Sequence, residues 1–547
     1  MEELKKNQIW TGTADGYTSD GSGVFHIGGR AVFVPGAIVG ERWEIRILRV
    51  SSSAVYGRGE TLLSPSPERV VPDCSVYPKC GGCALRHMSY EEELAMKLRR
   101  VNDALRRIGG LDFALDTIVP AEEGARMRRK VIFNIGSQNG QPTGGFFRAR
   151  SHDIVPLEDC PAVREESRRA QQCVLDWMKR MKIPAYDEAA GTEGVRHLFY
   201  RSSHLTENAV ITLVVSRAPK KPALDELCVT LRRSCPEMSG LVLNVNTSRG
   251  NTVLAGEFRT LWGDERLTES LCGLRFSISP RSFFQVNPPQ AEKLYTLALE
   301  YAEIRDGTLA LDLYCGTGTI GLCMAARGAR VIGAEVVAPA VENARENARM
   351  NHLETRCEFL CADAGEAAAE LRRRELRPEV IVVDPPRKGL SPELIDTAAA
   401  MEPDRIVYVS CDPGTLARDL KLLEERGYHL RAGTAVDLFP RTEHVETVCA
   451  LSKLSEAKHH ISVQVDMDEL DLTAAESKAT YEEIQEWVQE KYGFHVTHLN
   501  IAQVKRKHGI IERENYNKPK SPDSKQPGYP EEKARAIEDA LKHFQMI

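Results

Sequence analysis

At 547 residues, 42% hydrophobic and 27% charged, the chain has material for three or four separately cored domains. No run of roughly 18 apolar residues is present to span a bilayer, and the start MEELKKNQIW lacks the apolar stretch of a signal peptide, so no membrane partner and a cytoplasmic protein are expected. The net charge of -6 does not advertise a nucleic-acid binder, yet it conceals basic runs such as RMRRK at 126–130, so RNA is not excluded.

Residues 1–62 alternate apolar and polar positions in short runs (GVFHIGG, RAVFVPG, GERWEIRILRV) parted by glycine turns, the pattern of a small antiparallel barrel. LLSPSPERVVP reads as a linker and sets a boundary near residue 63. Fourteen cysteines without a secretory signal suggest free thiols, metal ligands or a nucleophile rather than a disulfide framework. Cys74, Cys80 and Cys83 form C-x5-C-G-G-C, close enough for thiolates to converge on one metal centre, with Gly81 and Gly82 letting the loop fold tightly. No fourth ligand is local, and Cys160 in PLEDCPAV is the candidate. Spacing leaves an iron–sulfur cluster, zinc and unliganded thiols all open. Periodicity predicts an amphipathic helix from Tyr90 to Arg107, then strands (KVIFNIGS, GGFFRAR, NAVITLVVS, GLVLNVNTS, LRFSISP), so 63–290 reads as a strand-rich second domain.

Residues 291–455 alternate strands with helices, the texture of a Rossmann-like, doubly wound α/β domain. In LDLYCGTGTIGL, Asp312, Gly316 and Gly318 lie where an apolar strand meets a glycine turn and a helix, and the next strand ends at Glu335, placed to accept from ribose hydroxyls. A tight turn with a solvated glutamate is the plain alternative. A dehydrogenase is the rival function, but GTGT lacks the third glycine of a pyrophosphate grip, which favours S-adenosylmethionine. IVVDPPRKG puts Asp384 at the end of a buried strand, and RIVYVS delivers Cys411 at the same sheet edge just before a helix. A free thiol is a weak nucleophile at neutral pH, so a helix amino terminus or a protonated bound base should assist it; a buried structural thiol is the competing reading. DLFPRTEHVETV supplies Glu443, His444 and Glu446, and a carboxylate entering a strand, as Glu446 does, is either a base or an edge-strand surface residue.

SPRSFFQVNP, LDLYCGTGTIGL, DPPRKG, YVSCDPGTLARDL and FPRTEHVETV, in this order, resemble the RNA uracil-5-methyltransferase family over residues 1 to about 455. The resemblance implies Cys411 as nucleophile and Glu446 as base, with Gln285, Tyr314, Glu335 and Asp384 contacting S-adenosylmethionine. It implies a four-iron, four-sulfur cluster on Cys74, Cys80, Cys83 and Cys160, of structural role. Residues 1–62 resemble the OB-like TRAM barrel, with Arg30, Phe33, Arg42 and Trp43 as candidates to grip single-stranded RNA. Barrel and cluster together point to 23S ribosomal RNA rather than tRNA as the partner of a monomeric enzyme, acting on a uridine flipped out of its loop. Cytosine-5 enzymes of similar scheme carry a cysteine after the DPP-type motif, where this chain has Arg387. A small-molecule methyltransferase and a noncatalytic RNA-binding iron–sulfur protein are the other classes. Residues 456–547 lie outside the resemblance and read as an appended module: a helix at 481–492, then a basic segment (HLNIAQVKRKHGI) and another helix at 530–545. It is expected to make an accessory RNA contact, unless it is a solvated tail.

Overall fold

The computed structural model describes residues 4–121, 126–187, 190–250, 252–453, 481–508 and 531–544, which fall into two compact units, Met1–Ser455 and Glu456–Ile547.

In the first unit, five strands between Ile9 and Ser64 close into a barrel, the fifth pairing between the third and fourth. Inward positions (Phe25, Val32, Val34, Ile45, Ile47, Val55) form its core, the alternation expected of an OB-like barrel. Gly57 is required there: a Cβ would stand 2.5 Å from Ile45. Two of the barrel's four RNA candidates brace the structure. Trp43 lies over Gly59 and donates from Nε1 to Glu41 (2.9 Å), and Arg30 donates to the carbonyls of Ser51 and Ser52. Phe33 meets exposed Tyr56 edge to face, and Arg42 is exposed.

Next comes a seven-stranded sheet in the order Glu257–Gly263, Met238–Val245, Ala209–Val215, Val195–Ser202, Lys130–Gln138, Gln141–Phe147, Ile154–Pro156. Helices Glu165–Met181 and Lys221–Ser234 share its core, centred on Trp177, Tyr200, Leu213 and Leu241. The loop carrying Cys80 and Cys83 is tied to the sheet, since Gly81 N–H donates to the Phe147 carbonyl at 3.0 Å and Cys80 bridges Arg148.

The helix read as Tyr90–Arg107 is α-helical over Tyr90–Ala104 and widens to a π turn at Leu105–Gly109, closed by Gly110 in the left-handed region that glycine favours. Val101, Ala104 and Leu105 pack into the α/β core. Ile118–Val119, within the span read as the second domain, is the edge strand of the α/β sheet, parallel to Tyr428–Val436.

That eight-stranded sheet runs Cys357–Cys361, Arg330–Glu335, Leu309–Leu313, Val380–Val383, Arg405–Ser410, Glu446–Lys453, Tyr428–Val436, Ile118–Val119. The first five strands are parallel and lie between helices, a Rossmann-like layering. Glu446–Lys453 is antiparallel to both neighbours, so its first residue, not its last, stands at the edge where the parallel strands end.

The second unit packs helices Tyr481–Tyr492, His498–Lys507 and Glu531–His543 around Ile484, Val488, Ile501, Val504, Ile537 and Leu541. The stretch read as a basic segment is therefore a helix. Lys507 and His508 both reach Glu538 at 3.0 Å, because the apolar positions of HLNIAQV turn that helix toward its neighbour. Among the described residues no helix is long and apolar enough to cross a membrane.

Candidate active site

A cleft of about 1360 Å3 opens where the parallel strands end, between the α/β sheet and the seven-stranded sheet. Gln285, Tyr314, Glu335, Asp384, Cys411 and Glu446 all line it. The chain turns sharply out of strand Leu309–Leu313: Tyr314, Gly316 and Gly318 have positive φ (66°, 55° and 82°). At Gly316 a Cβ would point into open space, whereas at Gly318 it would come within 3.1 Å of Ala344 and Phe359. Glu335 holds this turn from the next strand, accepting the Gly316 N–H (3.2 Å) with one oxygen and the Val337 N–H (2.8 Å) with the other. Asp312 lies beneath, buried, and accepts the Gly321 N–H at 2.8 Å. Burial, then Asp384 and Glu335, push its carboxyl up to about 8.

Sheet register brings two distant motifs together. Ser410 pairs with Thr447, so Cys411, one step beyond the first, stands beside Glu446, one step before the second. Asp384 follows the buried strand Val380–Val383, and desolvation pushes its carboxyl up to about 7. Burial and then Asp384 push Glu446 up to about 8, with Arg387 opposing. The Cys411 thiol goes up to about 11 through burial, then Glu446, with Arg387 acting the other way. The expected help from a helix terminus does not lower it: the helix begins at Pro413, and Asp412 caps it by accepting the Thr415 N–H at 2.9 Å. The free site thus holds a protonated thiol beside carboxyls that titrate near neutrality. His444 also lines the cleft, its Nε2 3.2 Å from Arg387 Nη2, and burial pushes it down; Glu443 does not line it, and its carbonyl accepts from Arg100.

The opposite wall was missed from sequence. Arg128, Lys130, Phe146 and Phe283 line it. The run RMRRK was visible, but which of its side chains face the cleft depends on strand phase.

Cys74, Cys80, Cys83 and Cys160 line a second, small pocket, which shares Arg128 and Phe146 with the cleft. Gly82 N–H donates to Cys80 Sγ (3.4 Å) and Arg86 Nε to Cys83 Sγ (3.3 Å). Burial pushes the Cys80 and Cys160 thiols up, and the other thiols of the set add to it. Among the described residues, no three His, Cys, Asp or Glu side chains converge as ligands of one metal ion.

Residues 257–454 match the family model described as tRNA (uracil-5-)-methyltransferase. An RNA methyltransferase of Clostridium tetani is 38% identical over 455 residues, covering 83% of this chain and 98% of that protein. The chain belongs to the RNA uracil-5-methyltransferase family. A Listeria innocua RNA methyltransferase is likewise 38% identical, over 449 residues, with 82% and 98% covered. Among solved structures, the Pyrococcus abyssi tRNA (uracil-54, C5)-methyltransferase bound to S-adenosyl-L-homocysteine is similar, at TM-score 0.66 and 29% identity, covering 81% of this chain and 99% of that one. This member of the family is accordingly an S-adenosylmethionine-dependent RNA methyltransferase, and the dehydrogenase and noncatalytic readings are set aside.

Proposed function

We propose that the protein methylates carbon 5 of a uridine in 23S ribosomal RNA through a covalent bond between Cys411 and carbon 6 of the base. The observation that carries this reading is the pairing of Cys411 with Glu446 across adjacent strands, beside Asp384 in one cleft. Carbon 5 of uracil is a poor nucleophile until a thiolate adds at carbon 6 and makes it part of an enolate. S-adenosylmethionine supplies an electrophilic methyl group. The site fits that ligand: Gly316 leaves room, and Asp312, Asp384 and Glu446, which have no ion-pair partner among the described residues, sit where a positive charge would be welcome. Gln285, Tyr314, Glu335 and Asp384 would hold it.

The Cys411 proton passes to water, the sulfur bonds to carbon 6, and the displaced ring electron pair makes carbon 5 part of an enolate, which would take the methyl group with S-adenosylhomocysteine as the leaving product. Glu446, as carboxylate, removes the carbon 5 proton; the electron pair restores the ring double bond as the Cys411 sulfur leaves. A carboxyl raised to about 8 suits a base working near neutral pH. Arg387, which favours both ionised forms, supports each step.

Four thiols around one pocket, with N–H groups aimed at two of the sulfurs, suit the extended face of a four-iron cluster better than a single ion. We assign Cys74, Cys80, Cys83 and Cys160 to such a cluster, whose contribution is to pin the cysteine loop to the residues around Cys160. The barrel is read as a TRAM-type RNA grip through Phe33, Tyr56 and Arg42. Barrel and thiol pocket favour ribosomal RNA. The Pyrococcus abyssi structure, an enzyme of tRNA, supports tRNA as the second reading. Mapping 5-methyluridine in both RNAs from a deletion strain decides: loss from 23S RNA with tRNA unchanged is expected, and loss from tRNA alone would overturn the ribosomal assignment.

A further inference from the structure

Four cations occupy positions 126, 128, 129 and 130, and they are not equivalent. Arg126 pairs with Asp159 at 3.1 Å, and Arg129 grips Glu207 with two hydrogen bonds of 2.7 and 2.9 Å. Arg128 and Lys130, the second of which opens the strand Lys130–Gln138, both line the cleft and pair with no carboxylate among the described residues. Among the described residues the one side-chain hydrogen bond of Arg128 is from Nη2 to the Gly82 carbonyl at 3.2 Å, its Nε is buried with no acceptor, and Lys130 makes neither hydrogen bond nor ion pair. The Lys130 Nζ rests 5.4 Å from the centre of the Phe283 ring. Burial and the neighbouring Arg201 push the Lys130 amine down to about 8, the response of a cation without a counter-charge.

Leaving Lys130 half-buried without a counter-charge costs stability, and an anionic ligand removes that cost; Arg128, which also lines the thiol pocket, stands beside it in the cleft. Glu335, Asp384 and Glu446 line the cleft at the sheet edge, among Arg387 and Lys388, and Arg128 and Lys130 line it from the side of the seven-stranded sheet. A nucleotide entering the cleft brings one negative charge per phosphodiester, which needs cations to receive it away from the three carboxyls. We infer that Arg128 and Lys130 form a phosphate-binding pair that receives the RNA backbone beside the flipped uridine. This rests on the reading that the target uridine enters this cleft. The carbonyl that steers Arg128 belongs to the glycine between Cys80 and Cys83, so the cysteine loop positions one of the two cations.

The test uses the full chain and a hairpin RNA with a uridine-rich loop. Arg128→Gln and Lys130→Met should each weaken RNA binding by roughly tenfold and flatten the slope of log affinity against log salt by about 0.7 to 0.9. S-adenosylhomocysteine affinity, which reports an intact fold, should not change. Arg126→Ala should alter neither quantity, and Arg128→Lys should keep the slope. A neutral methylphosphonate next to the target uridine should weaken the parent protein but not the variants. Unchanged affinity and slope in both variants would overturn the pair. Alkylation of Cys411, followed by peptide mass spectrometry, separates this from failure of the underlying reading: if saturating RNA does not shield Cys411 in the parent protein, the uridine does not enter this cleft at all.

Discussion

Two regions of the first unit bury charge in opposite ways. Beneath the loop that follows Tyr428–Val436, Lys97 is fully buried, and its Nζ reaches Glu93 and Asp437 at 2.7 Å each and the Phe439 carbonyl at 3.2 Å. Tyr90 donates to Asp437 (2.7 Å), the Arg441 N–H donates to the Glu93 oxygen that Lys97 also holds (2.7 Å), and the Arg441 guanidinium stands 3.6 Å from the other, so each charge has an opposite charge beside it even though burial pushes Glu93 up. At the cleft, Asp312, Asp384 and Glu446 are enclosed with no cation bonded to them, and all three are pushed upward. The paired network joins helix Tyr90–Ala104 to the segment leading into Glu446 and is a structural clamp. The unpaired carboxyls store a demand for positive charge and protons that a ligand can satisfy.

Breaking the comparison from the functional side gives the largest effect. Cys411→Ala should lower methylation by more than about a thousandfold while leaving cofactor and RNA binding near the parent values, as single-turnover assays and titrations will show. From the structural side, Lys97→Met strands two carboxylates and should cost about 3 to 5 kcal/mol of unfolding free energy in denaturant titration, with no direct loss of chemistry. Changing pH sharpens the contrast. The folded-state Asp384 carboxyl, near 7, lies above its unfolded value, so the stability of its protonated form is lost as pH rises through 7. The stability of Asp384→Asn relative to the parent should therefore climb between about pH 4 and 7 and level off above. Between pH 6 and 9 adduct formation should accelerate as the Cys411 thiol, pushed up to about 11, ionises more fully, and adduct resolution should accelerate as Glu446, near 8, becomes the carboxylate. The smallest effect is expected away from both regions. Anaerobic protein should be brown and hold about four iron atoms. Cys80→Ala should lose them and weaken RNA binding several-fold through Arg128, leaving S-adenosylhomocysteine affinity unchanged. Stoichiometric zinc with little iron would overturn the cluster.

The sheet edge was legible because local signals agree there. LDLYCGTGTIGL joins a buried strand, a glycine turn and a helix, and an apolar run ending in Asp384 delivers a carboxylate to the edge where ligands bind in an open α/β sheet, though the same segment also reads as a plain loop. Cys411 and Glu446 could each be named, but their adjacency follows from an antiparallel register that no periodicity reports. Glu93 and Lys97 stand four apart on one helix, and their buried third member, Asp437, is 340 residues from Lys97. The same limit hid Arg128 and Lys130, whose unpaired state shows only against the paired Arg126 and Arg129. In the second unit, HLNIAQVKRKHGI reads as a basic segment for an RNA contact, whereas the apolar spacing of Ile501 and Val504 makes His498–Lys507 a helix packed on its neighbours.

The most direct test of the central claim removes the base and keeps the nucleophile. With S-adenosylmethionine and substrate RNA, Glu446→Gln should complete attack and methyl transfer, then stall before proton removal. Turnover should fall by about 10²- to 10⁴-fold, and a denaturant-resistant RNA–protein adduct should accumulate, with the new methyl group on a uridine bonded to Cys411. Full turnover without any adduct would contradict the account.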